Sequence, residues 1–487
     1  MNVNRERKKI NKTRRKINQG RMINQDILKI AVFFCILTAG LIVYFCFFLT
    51  FRSSAVINNQ YNKRSDNFKK IIQRGTIYSS DDTPLAYTQM TDTGEERIYP
   101  YGNAFAQVVG YEANGGLGLE SSYNYYLLTS HTNMFEKISH EFKGEKNPGD
   151  SIHTTLDLPM QLYVNDILSG LKASAICIDP DTGRILVDVS KPDFDPNEIE
   201  EIWDEIIEDE DNSPLVNRVT QGQYTPGSTF KIFTLLEYIR ENPDYFNYQY
   251  DCAGILKQDG YSMSCNDQTP HGQESLKEAF AYSCNLAFAD IGLKLDLDRF
   301  IANNNDLLFN QDLPVDIAYN SATFALKKTD SDFMVMQTAF GQGQTMTSPL
   351  HLSLVMCAFA NNGVLMTPHF VTHITSPSGA TVKKWKDKEY KRLFSENETN
   401  IMNEYLRSVV TQGTAYVLSY EDYTAYGKTG TAETKSNKDE NIDLSFFVGY
   451  AEKDGQKLVV CVNIEDTRLT GMSAVDYAHL IFNYYFY

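Results

Sequence analysis

From Ile30 to Phe51 the chain reads IAVFFCILTAGLIVYFCFFLTF, without a single charged residue. As a helix this run measures about 33 Å, enough to cross a hydrocarbon core of roughly 30 Å, so it predicts a transmembrane span. A cleaved signal peptide is the alternative, but its apolar region runs to roughly 7–15 residues before a small-residue cleavage site. Ser53-Ser54-Ala55 matches such a site poorly, and the span reads as a retained anchor. Beyond it the apolar runs shorten and alternate. Residues 52–150 hold brief β-like stretches, Thr76-Ile77-Tyr78 and Glu96 to Tyr101, broken by turns at Gly102-Asn103 and Gly115-Gly116. They close near Asn147-Pro148-Gly149-Asp150, which predicts a small α+β pedestal.

Residues 151–487 have the pattern of one large α+β domain. Leu156 to Leu171 predicts a helix, and Ser174 to Asp179 with Arg184 to Ser190 predicts a hairpin about Pro180-Asp181-Thr182-Gly183. In Glu198 to Asp211, the residues Ile199, Ile202, Trp203, Ile206 and Ile207 recur at helical spacing. That predicts an amphipathic helix with a solvated acidic face, a better account of the acid than a cation site. Ser445 to Tyr450 and Lys457 to Ile464 predict neighbouring strands around Asp454-Gly455, and Ala474 to Phe486 a closing apolar helix. The expected architecture is an antiparallel sheet flanked by helices, the first hairpin sharing the sheet with the last strands. No internal repeat or low-complexity tract interrupts this plan. The expected organisation is thus a tail at 1–29, an anchor at 30–51, the pedestal at 52–150 and the main domain at 151–487.

Charge adds an orientation. The net charge of −17 divides into +8 for residues 1–29 and −25 for everything beyond the span. A basic flank on the N-terminal side places the tail in the cytoplasm and the body outside. The tail also has the composition to meet anionic lipid or a partner, although a topology signal accounts for it fully. The acidic body excludes nucleic acid as principal partner, because phosphate binding needs clustered positive charge. Of eight cysteines, Cys35 and Cys46 fall in the span. Cys177, Cys252, Cys265, Cys284, Cys357 and Cys461 fall in a compartment that permits disulfides, and their spacing matches no zinc pattern. Cys252 and Cys265 are close enough in sequence to form either a small disulfide loop or two buried thiols. No metal or cofactor is expected.

The chemistry concentrates in three places. Tyr224-Thr225-Pro226-Gly227-Ser228-Thr229-Phe230-Lys231 leads directly into an apolar helix. Ser228 and Lys231, three apart, share a helical face, and a lysine whose pKa burial has lowered can take a serine's proton. Ser228 would also meet the backbone amides of a helix N-terminus. Tyr282-Ser283-Cys284-Asn285 follows the helical run Leu276 to Ala281, and in an extended loop Ser283 and Asn285 would face one cleft. Tyr426-Gly427-Lys428-Thr429-Gly430-Thr431-Ala432 supplies Lys-Thr-Gly in a β-like stretch whose glycines allow close backbone approach. Each alone has an ordinary reading as a capping serine, a helix-ending turn or a surface turn. All three in this order are far more specific.

Together they resemble the penicillin-recognising serine enzymes, and within them the class B penicillin-binding proteins, which are monofunctional transpeptidases. The resemblance runs from about Asn62 to the end of the sequence. It takes in Arg74-Gly75-Thr76-Ile77, Gly118-Leu119-Glu120, Thr155-Leu156-Asp157, Asp179-Pro180-Asp181-Thr182-Gly183, Gly341-Gln342-Gly343, Gly413-Thr414-Ala415 and Phe447-Val448-Gly449-Tyr450. The resemblance implies that Ser228 is acylated by D-Ala-D-Ala stem peptides or by β-lactams, with a neutral Lys231 accepting its proton. It also implies that Ser283 relays protons and Asn285 holds Lys231 and the substrate backbone. Lys428 and Thr429 then serve the substrate carboxylate, and Gly430 and Thr431 line the site. Amides of Ser228 and Thr431 form the implied oxyanion hole. Cys284, in the middle of the second motif, reads as a small buried side chain and not a second nucleophile.

A D,D-carboxypeptidase or β-lactamase would use the same motifs with water as acceptor, and a penicillin sensor would keep them too. The anchor and pedestal favour the transpeptidase. The roughly 100 residues between span and main domain leave no room for a second enzyme domain beside a pedestal. Glu95-Glu96 lies in a β-like run, not in the helical setting expected of a glycosyltransferase. The resemblance therefore implies a membrane glycan polymerase of the shape, elongation, division and sporulation family as partner.

Overall fold

A computed structural model describes residues 2–51, 68–92, 94–258, 261–435 and 441–487. Ser53-Ser54-Ala55 and Asn62, where the resemblance begins, lie outside the described residues. Two units emerge, Met1–Asn62 and Lys63–Tyr487. In the first, one helix runs from Asn2 to Phe51, so the basic tail is helical as well as the apolar run. Its stretch Ile27–Phe48 is long and apolar enough to cross a membrane.

The second unit is built on two sheets. The five-stranded one has the order Thr424–Lys435, Asn441–Lys453, Gln456–Ile464, Ala173–Asp179 and Arg184–Lys191, every neighbour antiparallel. The predicted hairpin and the last strands do share this sheet. Asp454 and Gly455 take φ +53° and +81°, the two left-handed residues a tight hairpin turn requires. The strand Ala173–Asp179 is buried at nearly every position, as a central strand covered on both faces must be. The helix Pro349–Ala360, buried throughout and apolar but for His351 and Ser353, packs against it and against Gln456–Ile464 and Asn441–Lys453. Ala474–Phe486 lies on the last two strands and matches the sequence expectation residue for residue.

The other sheet has six strands: Thr381–Lys384, Val371–Thr375, Ser151–Thr154, Ile77–Tyr78, Pro84–Thr91 and Gly94–Ile98. Half of its strands come from before residue 150 and half from after it, so this sheet spans the expected domain boundary. At its end the motifs around Arg74 and Glu120 meet. Glu120 is fully buried, with Arg74 Nε 2.5 Å from Oε2 and Arg97 Nη2 2.7 Å from Oε1. Burial disfavours charge on both partners, yet their mutual attraction outweighs it: Arg74 is raised and Glu120 lowered from their ordinary values.

Two predicted helices are shorter than their pattern suggests, and the expected Leu156 to Leu171 is helical only over Leu158–Ile167. Between Glu198 and Asp211 only Trp203–Glu208 is α-helical, preceded by a 3-10 turn at Pro196–Glu198. Its first residue lacks a side-chain cap, and Ile207 stays half exposed while Ile199 and Ile206 are buried. Two buried apolar anchors suffice to pin an irregular segment without extending its helix.

Candidate active site

Ser228 stands in a single 3-10 turn, Gly227–Phe230, that feeds the helix Lys231–Glu241. Gly227 has φ +54°, and its amide donates to Gly341 O at 3.0 Å. A Cβ on Gly341 would lie 1.7 Å from Gly227 O, so the Gly341-Gln342-Gly343 turn is the floor on which the nucleophile turn rests. On the other side, a Cβ on Gly227 would fall 2.5 Å from Thr431 O. The backbone carrying Ser228 therefore runs in contact with the strand that carries the third motif.

Lys231, one turn beyond Ser228, is fully buried. Its Nζ is 2.9 Å from Ser228 Oγ, 2.7 Å from Ser283 O, 3.1 Å from Ser283 Oγ and 2.7 Å from Asn285 Oδ1. All four partners are hydroxyl, carbonyl or amide oxygens; none is a carboxylate. Burial pulls the lysine pKa down from 10.5 to about 7, against weaker opposing pulls from Cys284, Cys265 and Glu274. A lysine so placed can be neutral near pH 7 while hydrogen-bonded to a serine hydroxyl.

The second motif reaches the cleft by a different backbone from the extended loop its spacing suggested. Ser283 adopts φ +61° after the helix Leu276–Ala281, and Asn285 already opens the helix Asn285–Lys294. A left-handed residue between two helices aims both side chains inwards. Asn285 also donates through Nδ2 to Ser264 O at 3.0 Å, tying it to the segment beside the cleft.

Lys428 projects from the edge strand Thr424–Lys435 and is fully buried, its Nζ 2.9 Å from Ser283 Oγ and 3.1 Å from Thr429 O. Burial, and then the charge of Lys231, push it well below its ordinary value. The third-motif hydroxyl of Thr429 pairs with Thr414 Oγ1 at 2.5 Å. Thr414 had no assigned role in the sequence, yet its Gly413-Thr414-Ala415 motif is what brings it there. A Cβ on Gly413 would lie 2.2 Å from Ala281 O, which allows that turn to press against the second motif. Gly430 passes the nucleophile turn as closely: a Cβ there would lie 2.9 Å from Thr229 Cγ2. The resulting cleft encloses about 1320 Å³ and is lined by Ser228, Ser283, Asn285, Thr414, Thr429 and Thr431 among others. All eight residues singled out from the three motifs thus converge on one place.

Of the two arrangements that the spacing leaves open for Cys252 and Cys265, the structure has the pair of buried thiols. Cys252 and Cys265 are free thiols with sulfurs 3.6 Å apart, and Cys284 is buried 3.7 Å from Cys265. His271 joins them, and the four ligand atoms all lie within 4.8 Å of one another.

The model of the penicillin binding protein transpeptidase domain matches residues 173–483, and that of the penicillin binding protein A dimerisation domain matches residues 74–152. Among curated relatives, the chain is 26% identical over 464 residues to peptidoglycan D,D-transpeptidase MrdA of Acinetobacter baumannii, covering 82% of this chain and 66% of that one. It is 27% identical over 448 residues to peptidoglycan D,D-transpeptidase PbpA of Mycolicibacterium smegmatis, covering 85% and 86%. The chain spans 66% and 60% of the lengths of MrdA and of Bacillus subtilis penicillin-binding protein 3, less than two thirds of each. Among solved structures, the D,D-transpeptidase domain of a peptidoglycan glycosyltransferase from Eggerthella lenta superposes with a TM-score of 0.74 at 25% identity, covering 84% of this chain and 97% of that one. The penicillin G acyl-enzyme of penicillin-binding protein A from M. tuberculosis gives 0.75 at 24%, covering 84% and 98%, a likeness of fold.

Proposed function

This chain belongs to the penicillin binding protein transpeptidase family, and from that premise we propose that it is a membrane-anchored serine D,D-transpeptidase of peptidoglycan, with Ser228 as nucleophile. The observation that supports this most directly is Ser228 Oγ held 2.9 Å from a buried Lys231 whose partners include no carboxylate. Ser228 Oγ attacks the carbonyl between two D-alanines of a stem peptide while Lys231 takes its proton. Collapse of the tetrahedral adduct breaks the C–N bond. Ser283, within reach of both lysines, passes a proton to the departing D-alanine amine. An amino group of a neighbouring strand then attacks the ester, restoring the Ser228 hydroxyl and forming the cross-link. Asn285 steadies Lys231 and the peptide backbone. Lys428 and Thr429 attract the terminal carboxylate, beside a wall that includes Gly430 and Thr431. The amides of Ser228 and Thr431 receive the developing oxyanion, a contribution worth on the order of 10²–10³ in rate. A β-lactam enters the same path and stays as a stable ester, because its leaving group remains tethered.

The anchor's basic flank puts the tail inside and the cleft outside the membrane. Anchor and pedestal are then the surfaces offered to a separate glycan polymerase. A fluorescent penicillin should label the wild-type protein covalently and leave a folded Ser228→Ala variant unlabelled. Labelling of that variant at the wild-type rate would remove Ser228 from the reaction. Supplied with nascent strands, the protein should make cross-links. Hydrolysis alone, with an amine acceptor present, would identify a carboxypeptidase instead.

A further inference from the structure

We propose that the helix Met134–Lys143 lies on the surface of the bilayer that holds the anchor, its apolar stripe sunk to the boundary between headgroups and acyl chains. The helix is a finished element: Asn133 Oδ1 accepts from Glu136 N at 3.0 Å at its start, and Gly144, with φ +69°, closes its end. At about 3.6 residues per turn, Met134, Phe135, Ile138 and Phe142 fall within about 100° of its circumference. That stripe faces outwards. Phe135 is 86% and Phe142 87% exposed, Met134 and Ile138 are exposed with them, and none of the ten residues is buried. The half-buried positions are Lys137 and His140, on the opposite side. For a protein in water the helix is turned inside out. A helix this short is marginal alone and depends on burying its apolar face, and here the fold leaves that face uncovered.

The patch continues past the helix's end. Ile72–Gln73 pairs with Asn147–Pro148, and Asn147 N donates to Ile71 O at 3.0 Å, which brings the exposed Phe68 and Ile71 within a few residues of Lys143. Phe68 lies 17 residues beyond Phe51, where the anchor helix ends. Even fully extended, such a tether reaches only about 60 Å. It keeps the patch at high effective concentration beside the bilayer, so a weak contact suffices. Charge permits that contact. Residues 68–72 and 133–147 hold five lysines and three glutamates, and two further glutamates, Glu95 and Glu112, pair with Lys146 and Lys69. The patch is therefore neutral on a body of net charge −25, so anionic headgroups that repel the body as a whole do not repel it here. Phenylalanine rings on one face with lysines beside them are the equipment of an interfacial helix, whose rings sink while the lysine stems reach back to the headgroups.

The placement gives the contact a consequence. Asn147–Pro148 runs on through Gly149-Asp150 into Ser151–Thr154, an inner strand of the six-stranded sheet. Docking of the helix therefore holds the body at a second point and limits how it swings on its tether.

The test uses the full chain in nanodiscs of phosphatidylglycerol and phosphatidylcholine, loaded with a single protein, their acyl chains brominated near the middle to quench tryptophan on contact. Phe135→Trp and Phe142→Trp should each add emission that the brominated lipid lowers about twofold or more, as for a ring at the acyl boundary. Phe246→Trp, at an exposed phenylalanine of the main domain, should add emission that is not quenched, with Trp203 and Trp385 setting the background in every sample. Phe142→Ser should lower the quenching at position 135 and leave the melting temperature unchanged, because its ring is packed against nothing. With benzoylphenylalanine at position 135, irradiation of cells should give adducts to phospholipid. Adducts to a second copy of the chain or to another protein, in place of lipid, would overturn the proposal. So would quenching at 135 and 142 no greater than at 246 in protein that is folded and embedded in the discs. The proposal rests on the anchor reading, and the two fail distinguishably. A chain that never enters the discs refutes the anchor and the docking with it, whereas an embedded chain with an unquenched helix refutes the docking alone. Two tryptophan positions and a cross-linker, each replacing an exposed ring, keep one misfolded variant from deciding the matter.

Discussion

The cluster around Arg74 and the catalytic cleft each bury two cations, and they treat them in opposite ways. Arg74 and Arg97 converge on one fully buried carboxylate, Glu120, and attraction outweighs burial, so charge is retained on both sides. Lys231 and Lys428 converge on a serine hydroxyl with no carboxylate among their hydrogen-bond partners, and burial pulls both below their ordinary values. The residue types fit the roles. A guanidinium holds its proton and forks onto a carboxylate, whereas an ammonium yields its proton when desolvated. A buried cation is thus a brace or a base according to whether an anion was buried with it.

The largest test of that contrast is Lys231→Ala. It should cut the acylation rate by about 10²–10⁴-fold in stopped-flow labelling, the usual size of a general-base contribution, while leaving the unfolding midpoint nearly unchanged. A small kinetic loss with a large stability loss would make Lys231 a brace after all. Glu120→Gln is the reciprocal case. It removes the carboxylate charge that both buried guanidinium groups share, leaving Arg74 only the more distant Glu112 at 3.5 Å, and should cost about 3–5 kcal/mol in denaturant unfolding, with acylation by the folded fraction intact. Lys428→Ala should slow acylation by carboxylate-bearing β-lactams about tenfold or more beyond its effect on a neutral thioester, because the ligand would supply the anion this cleft lacks. Equal losses would assign Lys428 to the fold. Finally, the acylation rate should fall about tenfold per unit as pH drops below about 7, because Lys231 accepts a proton only as the neutral amine, and flatten above it. Glu120 should show nothing in that window. Its carboxyl is depressed, so its stabilisation is complete above its unfolded value of about 4.3 and fades only as pH falls through the lower folded value.

Much of this was legible in the chain, and the exceptions share a cause. The closing helix Ala474–Phe486, the strands about Asp454-Gly455 and the turn before Lys231 follow from local periodicity and turn chemistry. All eight motif residues converge as their order suggested. The Ser283 backbone departs from the expected extended loop, because an extended loop and a left-handed residue between helices give the same two-residue spacing. Trp203–Glu208 fell short of its pattern because apolar periodicity shows which side chains are buried but not whether the backbone between them stays helical. Thr414 and the Cys252–His271 cluster were invisible as partners because strands and turns from separate segments assemble them. Short-range patterns carry no record of such meetings.

The order of the five-stranded sheet has a consequence for the sequence of events during synthesis. The strand bearing Lys428 is at the sheet's edge and reaches the central strand Ala173–Asp179 only through Asn441–Lys453 and Gln456–Ile464. Ser228 and Lys231 therefore leave the ribosome well before the wall they face can exist. A nascent chain that stops short of Ile464 has its serine but no docked edge strand, hence no Lys428 and no Thr431 amide at the nucleophile. Long-range pairing of this kind forms late. Reactivity is thereby withheld until the last strands of the sheet are made and paired, and covalent capture of penicillin should mark the completed folding of that sheet. Truncation just before Gln456 should abolish that capture even though every motif residue remains in the polypeptide.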